Sequence, residues 1–486
     1  MTDRPADRPN PSPTTDHLDR ELFHDYLVRT RWFGGKGRPF EVTAITAVGE
    51  VPGRVETSPH VVVYLVEVTY GDAVAGAAPD TELYQVPLSF YAHPEGRLDH
   101  AFIGWWEDPA YGWVHAYDAL HDREAMACWL RSFARAAEGP GDPASPLVFH
   151  RLPGHDLDVE AHSTLFSGEQ SNSSVAFGED SLMKVFRKVT PGLNPDIRIH
   201  EVLTNAGSEH VAPLYGWLDT AAPGDDEGAT MQLAMLQKFL RTATDGWDLA
   251  LASVRTLLAE PEQHATDSGG DFAGESTRLG EALAEVHRTL AEHFGTQTRG
   301  PEATAALARA MTSRLDDALA VVPQLAEHAD ALRASFAQVA ALPEITVQTI
   351  HGDLHLGQTL RTSVGWKIVD FEGEPAKPLA ERLEPDSRWR DVAGMLRSFD
   401  YAPHAVLHGL NAGEEEEQLR LRAVEWANRN RNFFVVAYAE ELTPDERTLL
   451  QAYVADKAVY ECVYESRNRP AWLEIPLAAI ARIGAS

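Results

Sequence analysis

Two neighbouring stretches limit what this chain can fold into more than any others: His351-Gly352-Asp353-Leu354-His355-Leu356-Gly357-Gln358, and Asp370-Phe371-Glu372. Gly352 and Gly357 fit a tight polar loop, and the apolar run Trp366 to Val369 fits a short strand ending at Asp370. The fold must therefore bring a loop acid, an amide and a strand-end acid together. That trio suits transfer of a phosphoryl group from Mg·ATP to a hydroxyl. One carboxylate accepts the hydroxyl proton, while the other carboxylate and the amide oxygen hold a hard cation. On this reading Asp353 is the base and Gln358 and Asp370 are Mg²⁺ ligands. His355 orders its loop or touches the acceptor. His351 and His355 also have the spacing of a helical zinc pair, but the glycines between and after them favour a loop, and the Glu that follows the first His of a zincin helix is missing.

The 486 residues are enough for about three domains. With 42 Lys+Arg against 73 Asp+Glu the formal charge is -31, which argues against nucleic-acid and anionic-membrane partners. A phosphate-bearing ligand must then meet locally placed cations, helix N-termini or a bound metal. Cys128 and Cys462 alone make neither a disulfide framework nor a cysteine zinc site. Met1 to His17 is polar and reads as disordered, without the apolar centre of a signal peptide. No apolar run approaches a membrane span, so a cytoplasmic protein acting on small molecules is expected.

The pattern predicts a helix over 18–30 and alternating strands at 61–70 and 83–88, then a helix over 115–135 and a turn at 138–143. A second strand-rich region follows, with paired strands at 174–177 and 182–186 and two more at 213–219 and 230–237, around a loop at 223–228. Asn194-Pro195-Asp196 marks a helix start, with Asn194 as cap and Pro195 at the first helical position. Beyond Leu240 the chain turns helical. Leu279, Leu283, Val286 and Leu290 repeat at helical spacing, and Thr443-Pro444-Asp445-Glu446 is a capping box. The expected division is 1–110, 111–240 and 241–486.

No Gly-x-x-x-x-Gly-Lys-[Ser/Thr] loop occurs. The small-residue turn Gly168-Glu169-Gln170-Ser171-Asn172-Ser173-Ser174 can still lie over phosphates through its N–H and hydroxyl groups. Gly168, Gln170, Ser171 and Ser173 are the contacts expected there. Lys184, inside an apolar strand, needs a counter-charge and phosphate oxygens. Glu201 is its expected carboxylate partner and Asp196 the alternative. Gln237 and Phe239 lie where strands give way to helices, a place for adenine to meet backbone groups.

Together these stretches resemble the actinobacterial maltokinases and glucosamine kinases of the aminoglycoside phosphotransferase superfamily, which is protein-kinase-like. The resemblance also rests on Arg31-Trp32-Phe33-Gly34-Gly35-Lys36-Gly37-Arg38, Pro385-Asp386-Ser387, Arg390 to Tyr401, and Tyr464 to Pro470. It implies an α+β, bilobal fold: an N-terminal cap subdomain, a strand-rich intermediate N-lobe and a helical C-lobe. It also implies Asp353 as base, Gln358 and Asp370 on Mg²⁺, and Lys184 on the phosphates. Where the maltokinase pattern has Glu, this chain has Arg198.

The acceptor is expected among the C-lobe helices, on Glu372, on Trp426 and Asn430 one helical turn apart, and on Glu461 and Tyr464 of a stripe that includes Tyr453 and Tyr460. An acidic pocket favours an ammonium-bearing sugar. Glucosamine, giving glucosamine 6-phosphate, is therefore the expected substrate, with maltose, giving maltose 1-phosphate, as the alternative. A pseudokinase-like binding module is the reading from a different class.

Overall fold

The computed structural model describes residues 18–71, 80–137, 139, 145–166, 172–223, 229–259, 264–267, 269–374, 377–410 and 416–484. The chain divides into two compact units, Met1–Ile197 with Pro213–Arg241, and Arg198–Ala212 with Thr242–Ser486. The expected disordered start, most of the 138–143 turn and most of the 223–228 loop lie outside the described residues.

In the first unit, α1 (Arg20–Arg29) opens with Asp19 accepting the Glu21 N–H at 2.9 Å. Strands β1 (Phe40–Glu50), β2 (His60–Tyr70), β3 (Thr81–Tyr91), β4 (Phe102–Asp108) and β5 (Gly112–Asp118) follow, and then α2 (Arg123–Ala136). The strands pair antiparallel in the order β1-β2-β3-β5-β4. The strand period of two decides what β2 buries. Val61, Val63 and Leu65 enter one core, while Val62, Tyr64, Val66 and Val68 enter another on the opposite face. The helix expected over 115–135 starts later. Val114 and Ala116 are buried as alternate residues of β5, and Asp122 caps α2 through the Glu124 N–H at 3.2 Å.

Strands β6 (Val148–Arg151), β7 (Ser163–Leu165), β8 (Asn172–Phe177), β9 (Ser181–Phe186) and β10 (Lys188–Val189) come next. They are followed by α3 (Pro195–Asn205), β11 (Leu214–Ala221) and β12 (Thr230–Lys238). The second sheet runs β6-β11-β12-β9-β8-β7, and β10 pairs with β3 of the first. Arg187, 1% exposed, joins the two sheets. It donates to Asp118 at 2.7 Å and to the Ser173 hydroxyl at 2.8 Å, and its guanidinium lies 4.5 Å from the Trp32 ring centroid. Tyr26 donates to the same Asp118 carboxylate. Burial would raise the Asp118 carboxyl, but the charges of Arg187 and His121 and these hydrogen bonds hold it below its ordinary value.

The second unit is mostly helical. It comprises β13 (Thr244–Asp245), α4 (Gly246–Ala259), α5 (Ala273–Phe294), β14 (Thr296–Arg299), α6 (Pro301–Val321), α7 (Ala329–Ala340), β15 (Ile345–Gln348), β16 (Thr359–Thr362) and β17 (Gly365–Ile368). Helices α8 (Leu379–Arg382), α9 (Trp389–His408), α10 (Glu416–Ala439), α11 (Pro444–Asn468) and α12 (Glu474–Gly484) complete it. Leu279, Leu283, Val286 and Leu290 of α5 are all within its core, each worth about 1.5–3 kcal/mol when fully buried. The capping box of α11 forms as expected, Thr443 and Glu446 satisfying each other's N–H groups. Among the described residues, no helix is long and apolar enough to cross a membrane.

Candidate active site

In the first unit, Asn194 accepts the Asp196 N–H at 2.8 Å and sets the first turn of α3. Asp196 then faces β9, where its carboxylate meets the Lys184 ammonium at 2.9 Å; the two side chains are 2% and 12% exposed. The partner of Lys184 is thus Asp196 and not Glu201. Five helical residues separate the two acids by ~140° around the axis, so one helix cannot aim both at the same lysine. Ser173, expected at phosphate, is buried with its hydroxyl held by Arg187. Gly168, Gln170 and Ser171 lie outside the described residues. Gln237 is half-buried near the end of β12. The Phe239 N–H is already taken by the Asp180 carbonyl at 2.9 Å, and its ring packs on Phe166 at 5.8 Å, so that N–H is not offered to adenine.

In the second unit, the loop holding Asp353 is fixed from beneath by Asp391 of α9. The buried Asp391 carboxylate accepts the N–H groups of His351 at 2.7 Å and Gly352 at 2.9 Å, and lies 3.0 Å from His287 Nε2. His287 Nδ1 in turn meets the Tyr438 hydroxyl at 2.7 Å. Burial would raise the Asp391 carboxyl, but the His287 contact, the neighbouring histidines and the Gly352 N–H keep it low. The loop turns through Gly352 at φ 86°. Gly394 lets α9 pass close beneath, because a side chain there would run into the Leu354 carbonyl. His351 Nε2 donates to the Val369 carbonyl at 2.9 Å, and His355 Nδ1 accepts the Gly357 N–H at 3.1 Å. Both histidines therefore order the loop.

Asp370 follows β17 with φ 67°, a left-handed conformation uncommon outside glycine and tolerated best by Asn and Asp. Gln358 Nε2 donates to the Asp370 carboxylate at 3.1 Å, and a Glu372 oxygen comes within 4.8 Å of an Asp370 oxygen. The two carboxylates, joined by the Gln358 amide once it is turned to present its oxygen, fit Mg²⁺. Glu372, expected on the acceptor, lies beside Asp370, and Glu374 lines the cleft next to Asp353.

Asp353 opens onto a cleft of about 680 Å³ whose walls include Trp247, Tyr401, Tyr460, Tyr464 and Trp472. Its far wall is α11, which presents Lys457, Tyr460, Glu461, Tyr464 and Glu465 on one face. Lys457 donates to Asp353 at 3.2 Å. Burial would raise the Asp353 carboxyl, but the charges of Lys457, His355 and His351 outweigh it and hold the acid ionised. No local pattern in the sequence marks Lys457. It lies four residues after Tyr453 and three before Tyr460, on the very stripe read there as aromatic. Glu461 is bound by Arg397 at 2.8 Å, with burial still pushing its carboxyl up. Arg469 grips Glu465 through two bonds of 2.6 and 2.9 Å. Trp426 and Asn430 do not reach this cleft. They are 1% and 0% exposed, bonded to Ser253 and Ser276 at 2.9 Å each, because their face of α10 packs on α4 and α5.

Residues 162–426 match the phosphotransferase enzyme family. The chain belongs to that family. Residues 26–122 also match the maltokinase N-terminal cap domain. This phosphotransferase is 28% identical over 330 residues to a glucosamine kinase of Streptacidiphilus jiangxiensis, spanning 63% of this chain and 70% of that one. It is 27% identical over 389 residues to a glucosamine kinase of Mycolicibacterium smegmatis, spanning 74% and 90%. Among solved structures, a glucosamine kinase in crystal form B is similar with a TM-score of 0.69 at 21% identity, covering 98% of this chain and 100% of that one. A glucosamine kinase in complex with glucosamine, ADP and inorganic phosphate has a TM-score of 0.65, covering 96% and 98%. The expected α+β, kinase-like phosphotransferase fold with an N-terminal cap is therefore the fold of this chain.

Proposed function

We propose that this phosphotransferase moves the γ-phosphoryl group of ATP to glucosamine, giving glucosamine 6-phosphate in the cytoplasm. The observation that carries the reading is the cleft beside Asp353. Five carboxylates line it against three cations, Arg397, Lys457 and Arg469, so an ammonium group is favoured there. Its aromatic walls suit the C–H faces of a pyranose. The two curated relatives, both glucosamine kinases, support the same acceptor.

Asp353 orients the sugar hydroxyl and accepts its proton as the oxygen bonds to phosphorus and ADP departs. Lys457 keeps that carboxylate ionised between turnovers. Lys184, held straight by Asp196, serves the nucleotide phosphates. Gln358 and Asp370, with Glu372 beside them, would hold Mg²⁺, which would neutralise charge on the phosphates. Maltose is the second reading, favoured by the maltokinase cap match over 26–122. The deciding experiment assays the purified chain with ATP·Mg²⁺ against glucosamine, N-acetylglucosamine, glucose and maltose. Glucosamine should give the highest kcat/KM, and a maltose rate far above it would sink the proposal.

A further inference from the structure

A separate pocket of about 390 Å³, open to solvent, is lined by α9, α10, α11 and α12. It falls within the range of ~300–1,000 Å³ common for small-molecule sites. Its polar groups are Asn428, Arg431 and Asn432 of α10, Arg447 and Gln451 of α11, and Arg482 of α12, above an apolar floor. No carboxylate appears among its described lining residues. In a chain of net charge -31 that is an unusual concentration of positive charge.

The nearest acid is already shared. Asp400, 5% exposed, accepts from Arg482 at 2.8 Å, Arg431 at 3.2 Å and Arg397 at 2.5 Å. Arg397 has one further acid, Glu461. Three guanidiniums thus share two carboxylates, and Arg447 adds a cation with no side-chain partner among the described residues. Burial lowers the Arg482 guanidinium, Asp400 raises it, and Arg431 and Arg397 press it down again, as expected where positive charge is in excess.

We infer that this cavity binds a phosphorylated metabolite of sugar size, at a site separate from the acceptor cleft. Guanidiniums pair with phosphate oxygens through two parallel N–H groups, a geometry that an ammonium does not match. The three amide side chains supply both donors and acceptors for sugar hydroxyls. Arg447 lines this cavity and not the acceptor cleft, so changing it tests one site alone.

The test is calorimetric titration of the full chain with glucose 6-phosphate, and with inorganic phosphate, at low ionic strength. Wild type should bind glucose 6-phosphate saturably and more tightly than inorganic phosphate. R447E should bind it at least tenfold more weakly while keeping its kcat without added sugar phosphate. Absence of saturable binding by wild type at millimolar concentrations overturns the site. So does equal affinity in R447E, since binding would then lie elsewhere. Equal affinity for inorganic phosphate overturns the part assigned to the amides. None of these outcomes depends on which sugar is phosphorylated.

Discussion

Replacing Lys457 with methionine keeps the length and apolar stem of the side chain and removes only its charge. At 3.2 Å the attraction to Asp353 is about 5 kcal/mol at an effective dielectric of ~20. The two side chains are 34% and 26% exposed, so solvent screening leaves roughly 1–1.4 kcal/mol. The sign follows from the direction of the shift. Lys457 lowers the Asp353 carboxyl, so its loss raises that carboxyl, and the base becomes protonated at a higher pH than before. Histidines 351 and 355 still lower it, burial still raises it, and the nearby Glu461 and Glu374 lose the cation they share. K457M should therefore lose about five- to tenfold in kcat/KM on the acid side, with a smaller change on the plateau. The assay is a pH profile of kcat/KM for glucosamine in wild type, K457M and K457R. The acid limb should move toward neutral pH in K457M and stay in place in K457R. An unmoved limb with a uniform loss at every pH would refute the argument, because Lys457 would then act without touching the charge of the base.

Asp353→Ala should abolish turnover and leave nucleotide affinity within a few-fold; substantial residual kcat removes it as the base. Asp391→Ala leaves two backbone N–H groups and His287 without their acceptor, and should cost about 3 kcal/mol or more in urea denaturation. Asp391 and Asp118 both have lowered native carboxyls, so their stabilisation is complete above the unfolded value of ~3.9 and is lost as pH falls through the native ones. The share carried by these two acids should thus be lost only in acid, below an earlier decline that begins near pH ~6.5, where His121, His355 and His404, kept neutral by burial when folded, take up protons on unfolding; a stability flat from neutral pH down to 5 would contradict this. Arg187→Met strands the buried Asp118 and frees Ser173, at a cost of about 3–5 kcal/mol. An unchanged denaturation midpoint would show that Tyr26 alone satisfies that carboxylate.

Local signals carried much of the fold. The alternation in β2, the Asn194-Pro195 start of α3 and the Thr443 capping box each depend on a few neighbouring residues, and each is where the sequence placed it. The loop at 351–358 and the acid at 370 were legible for the same reason. Contacts across the chain were not. Choosing between Asp196 and Glu201 requires knowing which face of α3 meets β9, and an i, i+4 pair such as Trp426 and Asn430 looks the same whether it lines a cleft or a core. Lys457 carries no sequence signal because a lysine between tyrosines reads as a solvated residue until Asp353, 104 positions earlier, is brought beside it.

Helix α11 carries both the cation bonded to Asp353 and one wall of the cleft in which the proposed function places the sugar. A substitution on this helix changes one position and leaves the others aimed. A deletion or insertion of one residue swings everything beyond it by ~100°, which would turn Lys457, Glu461 and Tyr464 away from the cleft together. If the proposed site is right, point changes along α11 can retune the cleft one side chain at a time, whereas a change in its length would also unseat Lys457 from Asp353.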